Sequence, residues 1–96
     1  MTYSLLRTRD GAGDSGTMSV AYWLDEKDER GYRHEDNAEP RVGVVMRVGS
    51  AYGRSYSQHD WWQTTLITEI LETRETPDGK YVRFKTGNSE YEWNSF

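Results

Sequence analysis

Hydrophobic and polar positions alternate along the last third of the chain in the way that antiparallel strands require. Residues 66–74 and 80–86 are rich in β-branched and aromatic residues, and Thr76-Pro77-Asp78-Gly79 between them has the composition of a tight turn. Gly87-Asn88 suits a two-residue hairpin loop, and residues 89–93 resume the alternation. The pattern predicts a meander of three strands joined by two short turns.

Three earlier segments have a strand pattern as well. Residues 1–9 form a first candidate strand, residues 17–24 a second, and residues 41–48 the most regular one in the chain. In the second strand one face is predicted to hold Met18, Val20, Tyr22 and Leu24, while small residues and Trp23 take the other. No segment has the sustained 3.6-residue apolar period of a long helix. The chain is therefore predicted to be all-β.

Segments of other composition separate these strands. Residues 10–16 are rich in Gly and predict a flexible loop. A flexible acidic loop is predicted at about 25–40, because this segment carries seven acids and three bases and almost nothing apolar. Residues 49–60 form a second long loop that leads to Trp61 and Trp62. Loops of this length are uncommon unless they have a function.

These elements predict one domain over residues 1–96, a small antiparallel SH3-like barrel or a two-layer sandwich of about five to seven strands with two long loops. The hydrophobic content is only 34%, yet the chain holds four Trp, seven Tyr and two Phe, so an aromatic core is expected. The expected core residues are Leu5, Met18, Val20, Tyr22, Val42, Val44, Met46, Trp62, Leu66, Ile70, Val82, Phe84, Tyr91 and Trp93.

Composition excludes several classes of protein. The chain has no Cys, which excludes a disulfide framework, a thiolate nucleophile and a zinc–thiolate site. It lacks a leader pattern and any apolar run of the ~18 residues that a membrane span needs, so we expect no membrane association and a cytoplasmic location. The net charge of −4, from 16 acids and 12 bases, disfavours non-specific binding of nucleic acid.

Three motifs have the letters of chemical sites without their context. Residues 11–16 match G-x-G-x-x-G, but strand-like residues follow where the phosphate-binding pattern needs a helix. His34 adjoins Glu35 and Asp36, although catalysis requires a rigid, partly desolvated setting that this polar segment does not predict. His59-Asp60 is explained better by an oriented structural hydrogen bond. We therefore expect no enzymatic activity, no metal site and no cofactor.

Cations and aromatic side chains come together between residues 47 and 61. The candidate binding residues are Arg47, Tyr52, Arg54, Tyr56, His59 and Trp61. Residues of these types anchor protein interfaces, and they also stack on bases and bind phosphates. Alternation puts Trp62 on the core face with Leu66 and Ile70. Trp61 then points away from the core, toward the preceding loop.

The last third of the chain resembles a family of small proteins. Residues 62–71, with the sequence WQTTLITEIL, are followed by a hairpin and then by residues 82–92, VRFKTGNSEYE. This arrangement resembles a pattern in small accessory proteins of actinobacterial phages and other mobile elements, most clearly over residues 61–93. The resemblance implies a small SH3-like β-barrel and a location in the cytoplasm of a bacterial host cell, and it brings no catalytic residues with it.

Two functions from different classes follow from these observations. We expect a phage accessory protein that acts without catalysis, by binding a host protein and blocking it. The alternative is a nucleotide-binding protein that sequesters a host defence signal, with arginines on the phosphates and aromatic rings on the bases. A small hydrolase or transferase using His59 and Asp60 is a third and weaker interpretation. The oligomeric state stays open, and a homo-oligomer is compatible with the sequence.

Overall fold

A computed structural model describes residues 1–24, 31–50 and 61–96. These ranges contain nine strands and no helix. The strands are β1 (Tyr3–Arg7), β2 (Gly13–Gly16), β3 (Met18–Leu24), β4 (Tyr32–Asp36), β5 (Val45–Gly49), β6 (Trp61–Gln63), β7 (Ile67–Thr76), β8 (Gly79–Thr86) and β9 (Glu90–Ser95).

The C-terminal meander is confirmed. Strands β7, β8 and β9 pair antiparallel in sequence order. Thr76 Oγ1 accepts a hydrogen bond from the Gly79 N–H at 3.0 Å, which closes the first turn over Pro77 and Asp78. In the second turn the Thr86 N–H donates to the Ser89 carbonyl at 2.8 Å, so that Gly87-Asn88 forms the two-residue loop that its composition predicts.

The strands form two antiparallel sheets. The larger has five strands in the order β2-β1-β9-β8-β7, and the smaller has four in the order β4-β3-β5-β6. The all-β prediction is confirmed in this form. More strands are present than the expected five to seven, because β2 and β4 lie in segments whose composition predicts loops.

The loop predictions are wrong where β2 lies within residues 10–16 and β4 within residues 31–40. Residues 25–30 of the predicted acidic loop and 51–60 of the second predicted loop lie outside the described residues. Backbone pairing with a neighbouring strand, which composition does not encode, decides the cases of β2 and β4. Gly13–Gly16 pairs with β1, and a Cβ at Gly13 would collide with the Leu5 carbonyl. The strand Tyr32–Asp36 pairs with β3, an arrangement that leaves its charged side chains exposed on the sheet edge.

The two sheets are joined on two sides. Thr17 is the single residue between β2 of the larger sheet and β3 of the smaller one, and here Gly16 lies so close to the Gly49 carbonyl that no Cβ would fit. On the other side, Ile67 of β7 donates to the Val44 carbonyl at 2.9 Å and accepts from the Gly43 N–H at 3.0 Å. Backbone contacts therefore fix how the sheets pack.

Most of the predicted core is confirmed. The predicted residues buried in this core are Leu5, Val44, Met46, Val82, Phe84, Tyr91 and Trp93. Val20 is buried too, but on the outward face of β3, opposite Arg47. Trp62 and Ile70 are half-buried and pack against this core. Tyr3, Val48 and Ile67 are fully buried additions that the expected core did not include.

The core predictions for Val42 and Leu66 are wrong, since their side chains are 57% and 53% exposed. Val42 lies in a turn with Gly43, whose φ is +92°, a conformation that interrupts the strand. Leu66 ends a three-residue break between β6 and β7, so counting by twos from Trp62 fails there. Ile67 is buried in the core in place of Leu66. Ile70 packs against the core as well, because a register shift between Ile67 and Glu69 changes the alternation along β7.

The facing of β3 is the reverse of the prediction. Ser19 and Ala21 point into the core with 1% and 0% exposure, whereas Met18 and Tyr22 are only half-buried on the opposite face. Small residues face inward because the opposing sheet supplies the bulk, above all Trp93. Apolar size along one strand does not show which face is covered.

Trp93 connects the two sheets through a polar contact inside the core. Its indole Nε1–H donates to Ser19 Oγ at 3.0 Å, and the Ser19 hydroxyl donates to the Ala38 carbonyl at 2.9 Å. The Tyr3 ring packs against the indole with centroids 5.8 Å apart. The chain of hydrogen bonds satisfies a buried donor and fixes β9 against β3.

We predict that Trp93→Ala lowers the free energy of unfolding by ~3–5 kcal/mol, because a fully buried ring leaves a large cavity. Phe96→Ala is the control, since the Phe96 ring is 53% exposed and should change stability by no more than ~0.5 kcal/mol. Urea unfolding followed by far-UV circular dichroism measures both. Equal losses in the two variants would contradict this assignment of the core.

Ser19→Ala should cost ~1–3 kcal/mol although it removes a single oxygen, because it leaves the Trp93 N–H and the Ala38 carbonyl buried without that partner. The matched control is Ser4→Ala on β1, a half-buried serine for which a smaller loss is expected. Thermal melts of the two variants give the comparison. If Ser19→Ala melts with the parent, the hydrogen-bond chain does not stabilise the fold.

Candidate functional site

The outward face of the four-stranded sheet carries an unusual set of side chains. Cross-strand register places Val20 opposite Arg47 and Arg47 opposite Gln63, and it places Tyr22 opposite Val45. Trp61 lies on the same side, two residues before Gln63. We call this surface the Arg47 face and define it by Tyr22, Val45, Arg47, Trp61 and Gln63.

The Arg47 guanidinium is held between two aromatic rings. Its Cζ lies 4.7 Å from the centroid of the Tyr22 ring and 4.9 Å from that of Trp61. Nε and Nη2 donate to Gln63 Oε1 at 3.1 and 2.7 Å, and Nη1 donates to the Tyr22 hydroxyl at 3.3 Å. These contacts fix a long, otherwise mobile side chain in one position before any ligand arrives.

Two open depressions flank the Tyr22 ring. One, of about 380 Å³, is lined by Met18, Val20 and His34, with the His34 ring 6.0 Å from that of Tyr22. The other, of about 450 Å³, lies on the Arg47 side and is lined in part by Val45 and Leu66. Their walls are largely apolar, as a surface that buries side chains of a partner requires.

The structure brings together two of the predicted site residues, Arg47 and Trp61. The other four predicted residues are Tyr52, Arg54, Tyr56 and His59, and they lie outside the described residues. As predicted, Trp62 packs against the core, while Trp61 contacts Arg47 on the outer face.

Sequence reasoning missed Tyr22 and Gln63, which contact Arg47 directly. Alternation predicts Tyr22 in the core, and no sequence pattern distinguishes Gln63. Both are identified by the pairing register of β3, β5 and β6. That register cannot be deduced from the sequence of a single strand.

The three adjacent residues His34, Glu35 and Asp36 do not point to one site. Side chains alternate along β4, so His34 and Asp36 lie on one face of the sheet and Glu35 lies on the other. The Glu35 carboxylate accepts a hydrogen bond from Arg41 at 2.8 Å. Within residues 1–24, 31–50 and 61–96 no group of three His, Asp or Glu side chains is placed to hold a metal ion. Gly11–Gly16 lies in the β1–β2 hairpin and is followed by β3.

The outward face of the five-stranded sheet differs in kind, since charged residues of opposite sign alternate across its strands. Arg83 lies between Glu72 and Glu92 in register and contacts Glu90 at 3.4 Å. Tyr81 on this face is covered by Arg74, whose Cζ lies 4.4 Å from the ring centroid. Such mixed charges are typical of a solvated surface.

Comparison of the chain with protein-family models, curated proteins and solved structures finds no match. In the described part of the chain, no helix is long and apolar enough to cross a membrane. The geometry of the Arg47 face is therefore the basis for assigning a function.

The Tyr81 phenol gives a pH prediction. Burial raises its pKa above the ordinary value of 10.0, and the neighbouring Glu92 carboxylate raises it further. Between pH 10 and the raised pKa, the unfolded chain releases this proton while the folded chain keeps it. The stability that Tyr81 contributes is therefore complete below pH 10 and is lost as the pH rises through its folded pKa.

We expect the parent protein to lose more unfolding free energy than Tyr81→Phe between pH 9 and pH 11, as measured by urea unfolding at both values. Other groups that titrate in this range are common to the two proteins and cancel in the comparison. Parallel losses would show that Tyr81 ionises as it does in the unfolded chain.

Proposed function

We propose that this protein is a non-enzymatic accessory protein of phage type that binds a host protein through the Arg47 face and blocks it. The observation that carries the proposal is the Arg47 guanidinium held between Tyr22 and Trp61 on an outward sheet surface with apolar depressions. Arg, Tyr and Trp are the residue types in which the binding energy of protein interfaces concentrates.

Exposed apolar side chains adjoin this cluster. Leu24 is 61% exposed and Leu66 is 53% exposed, and both line the depression on the Arg47 side of Tyr22. On a solvated antiparallel sheet the outward face is ordinarily polar, as the five-stranded sheet illustrates. Apolar surface next to a rigid Arg–aromatic cluster supports binding to a protein, because covering it with a partner releases water.

The same geometry favours a protein partner over a nucleotide. One face of the Tyr22 ring and one face of the Trp61 ring are directed at the guanidinium, so a base would have to displace Arg47 to stack between them. Three of the Arg47 hydrogen bonds already go to Gln63 and Tyr22. The depressions are open, as suits side chains of a broad interface.

The wider biological setting rests on the resemblance of residues 61–93 to phage accessory proteins. In that setting the protein would act in the cytoplasm of the infected bacterium and block its target by occupying the surface that the target uses. We also propose that the two sheets form a small SH3-like barrel. The joints at Thr17 and at Val44–Ile67 support this, since both connect one sheet to the other through the backbone.

The test compares matched leucine variants in a capture experiment. Leu66→Ser removes an exposed apolar side chain from the depression beside the Arg47 face, and Leu6→Ser removes a 42% exposed one from the outward face of the other sheet. Both should melt with the parent. Immobilised parent protein and Leu6→Ser should retain the same protein from an actinobacterial lysate, and the purified partner should bind Leu66→Ser at least ~10-fold more weakly by calorimetry.

Two results would contradict the proposal. If Leu66→Ser binds the partner as well as Leu6→Ser does, recognition occurs elsewhere on the molecule. If native mass spectrometry finds the protein loaded with a nucleotide and no protein is retained, the function is sequestration of that nucleotide.

A further inference from the structure

Arg47 carries a charge that no carboxylate in the described part of the chain neutralises. Its hydrogen-bond partners, the Gln63 amide and the Tyr22 hydroxyl, are both neutral. The guanidinium is half-buried against two rings and next to Val45, so water screens its charge less than it would screen that of a fully exposed arginine. A cation in such a setting attracts an anion strongly.

Four other cations among the described residues have a carboxylate partner. Ion pairs join Arg7 to Asp10 at 2.7 Å, Arg41 to Glu35 at 2.8 Å, Lys80 to Glu39 at 2.6 Å and Arg83 to Glu90 at 3.4 Å. The Arg7 pair is close enough to lower the pKa of Asp10 to about 2. Arg41 and Arg7 also lie over aromatic rings, so stacking on a ring does not prevent an arginine from pairing with a carboxylate.

The Arg47 side chain retains donors for an incoming group. A guanidinium has five N–H groups, and three hydrogen bonds to the described residues involve Nε, Nη1 and Nη2 once each. One N–H on Nη1 and one on Nη2 are left by these bonds. Two donors on adjacent nitrogens match the two oxygens of a carboxylate.

On the basis of the proposed function, we infer that the partner presents an Asp or Glu carboxylate to Arg47, flanked by apolar side chains that enter the depressions beside Tyr22. Because apolar walls lie on either side of the Arg47 guanidinium, the partner segment needs an acidic residue in its centre and hydrophobic residues around it. The interface therefore buries one charge pair within apolar contacts.

A carboxylate fits this surface better than a phosphate. Arg47 is the one Lys or Arg that the described residues place on this face, and Asp36, which pairs with Val20, lines the other depression. A phosphate with up to two negative charges is ordinarily met by several donors or cations, and Asp36 would repel it more strongly than it would repel a carboxylate with one charge. A single carboxylate needs one guanidinium.

The probe for this inference is a library of random 12-residue peptides displayed for selection on the immobilised protein. Peptides retained by the parent and lost on Leu66→Ser bind the Arg47 face. We expect these peptides to be enriched in Asp or Glu with apolar neighbours. The best of them is then synthesised together with a counterpart in which the acid is replaced by its amide.

Binding of the two synthetic peptides is measured to the parent, Arg47→Gln and Arg74→Gln. Arg74 is the matched control, because it also covers a tyrosine ring but lies on the other sheet. Replacing the acid by its amide should weaken binding to the parent and to Arg74→Gln at least ~10-fold, and it should have little effect on Arg47→Gln. Arg47→Lys, which keeps the charge without the paired donors, should show an intermediate effect.

The outcomes separate this inference from the function on which it rests. If peptides depend on Leu66 but are not enriched in acids, or the amide substitution has the same effect on Arg47→Gln as on the parent, only the carboxylate pairing is overturned. If selection returns no peptide that depends on Leu66, the Arg47 face does not bind peptide segments and both proposals fall.

Inorganic phosphate at 10 mM is added as a competitor. Displacement of the peptide by phosphate from the parent but not from Arg47→Gln would overturn the preference for a carboxylate.

Discussion

The position of the Trp93 indole between the two sheets determines much of the remaining structure. A ring of this size at the centre of a thin domain requires small residues on the strand that faces it, and β3 supplies Ser19 and Ala21. Ser19 also accepts the indole hydrogen bond. Because side chains alternate along a strand, the same choice directs Tyr22 outward, to the position where it meets Arg47. The proposed binding surface is thus a consequence of how the core is filled.

Arginine side chains cover aromatic rings that the core of this domain does not fully bury. A chain of this size leaves a large fraction of its surface exposed, yet 14% of its residues are aromatic. Arg7 lies over Trp62, Arg41 over Trp23 and Arg74 over Tyr81, in addition to Arg47 between its two rings. Guanidinium groups cover the ring faces while keeping their own edges hydrated. Arg47 differs from Arg7 and Arg41 in its lack of an acidic partner within the described residues.

The sequence is sufficient to predict those parts of the fold that residues close together in the chain determine. The β7–β8–β9 meander was predictable because Pro77-Asp78-Gly79 and Gly87-Asn88 determine turns over a few residues. The facing of β3 was not, because its two faces carry apolar groups of different size and only the opposite sheet decides between them. The predictions for Leu66 and Val42 were wrong because a break before β7 and a turn at Gly43 interrupt the alternation that they assumed. At the site, Arg47 and Trp61 could be found from composition, whereas Tyr22 and Gln63 join them through cross-strand register.

The pairing irregularities in β7 affect how copies of the chain can meet. This strand forms one edge of the five-stranded sheet, and beyond Ile67, whose backbone already bonds to Gly43 and Val44, it would offer a row of backbone donors and acceptors to another molecule. Register shifts between Ile67 and Glu69 and between Ile70 and Glu72 interrupt that row, and Glu75 adds a further exposed charge near its end. Such an edge is a poor template for fibrous polymerisation, since a new strand would lose its repeat at each bulge.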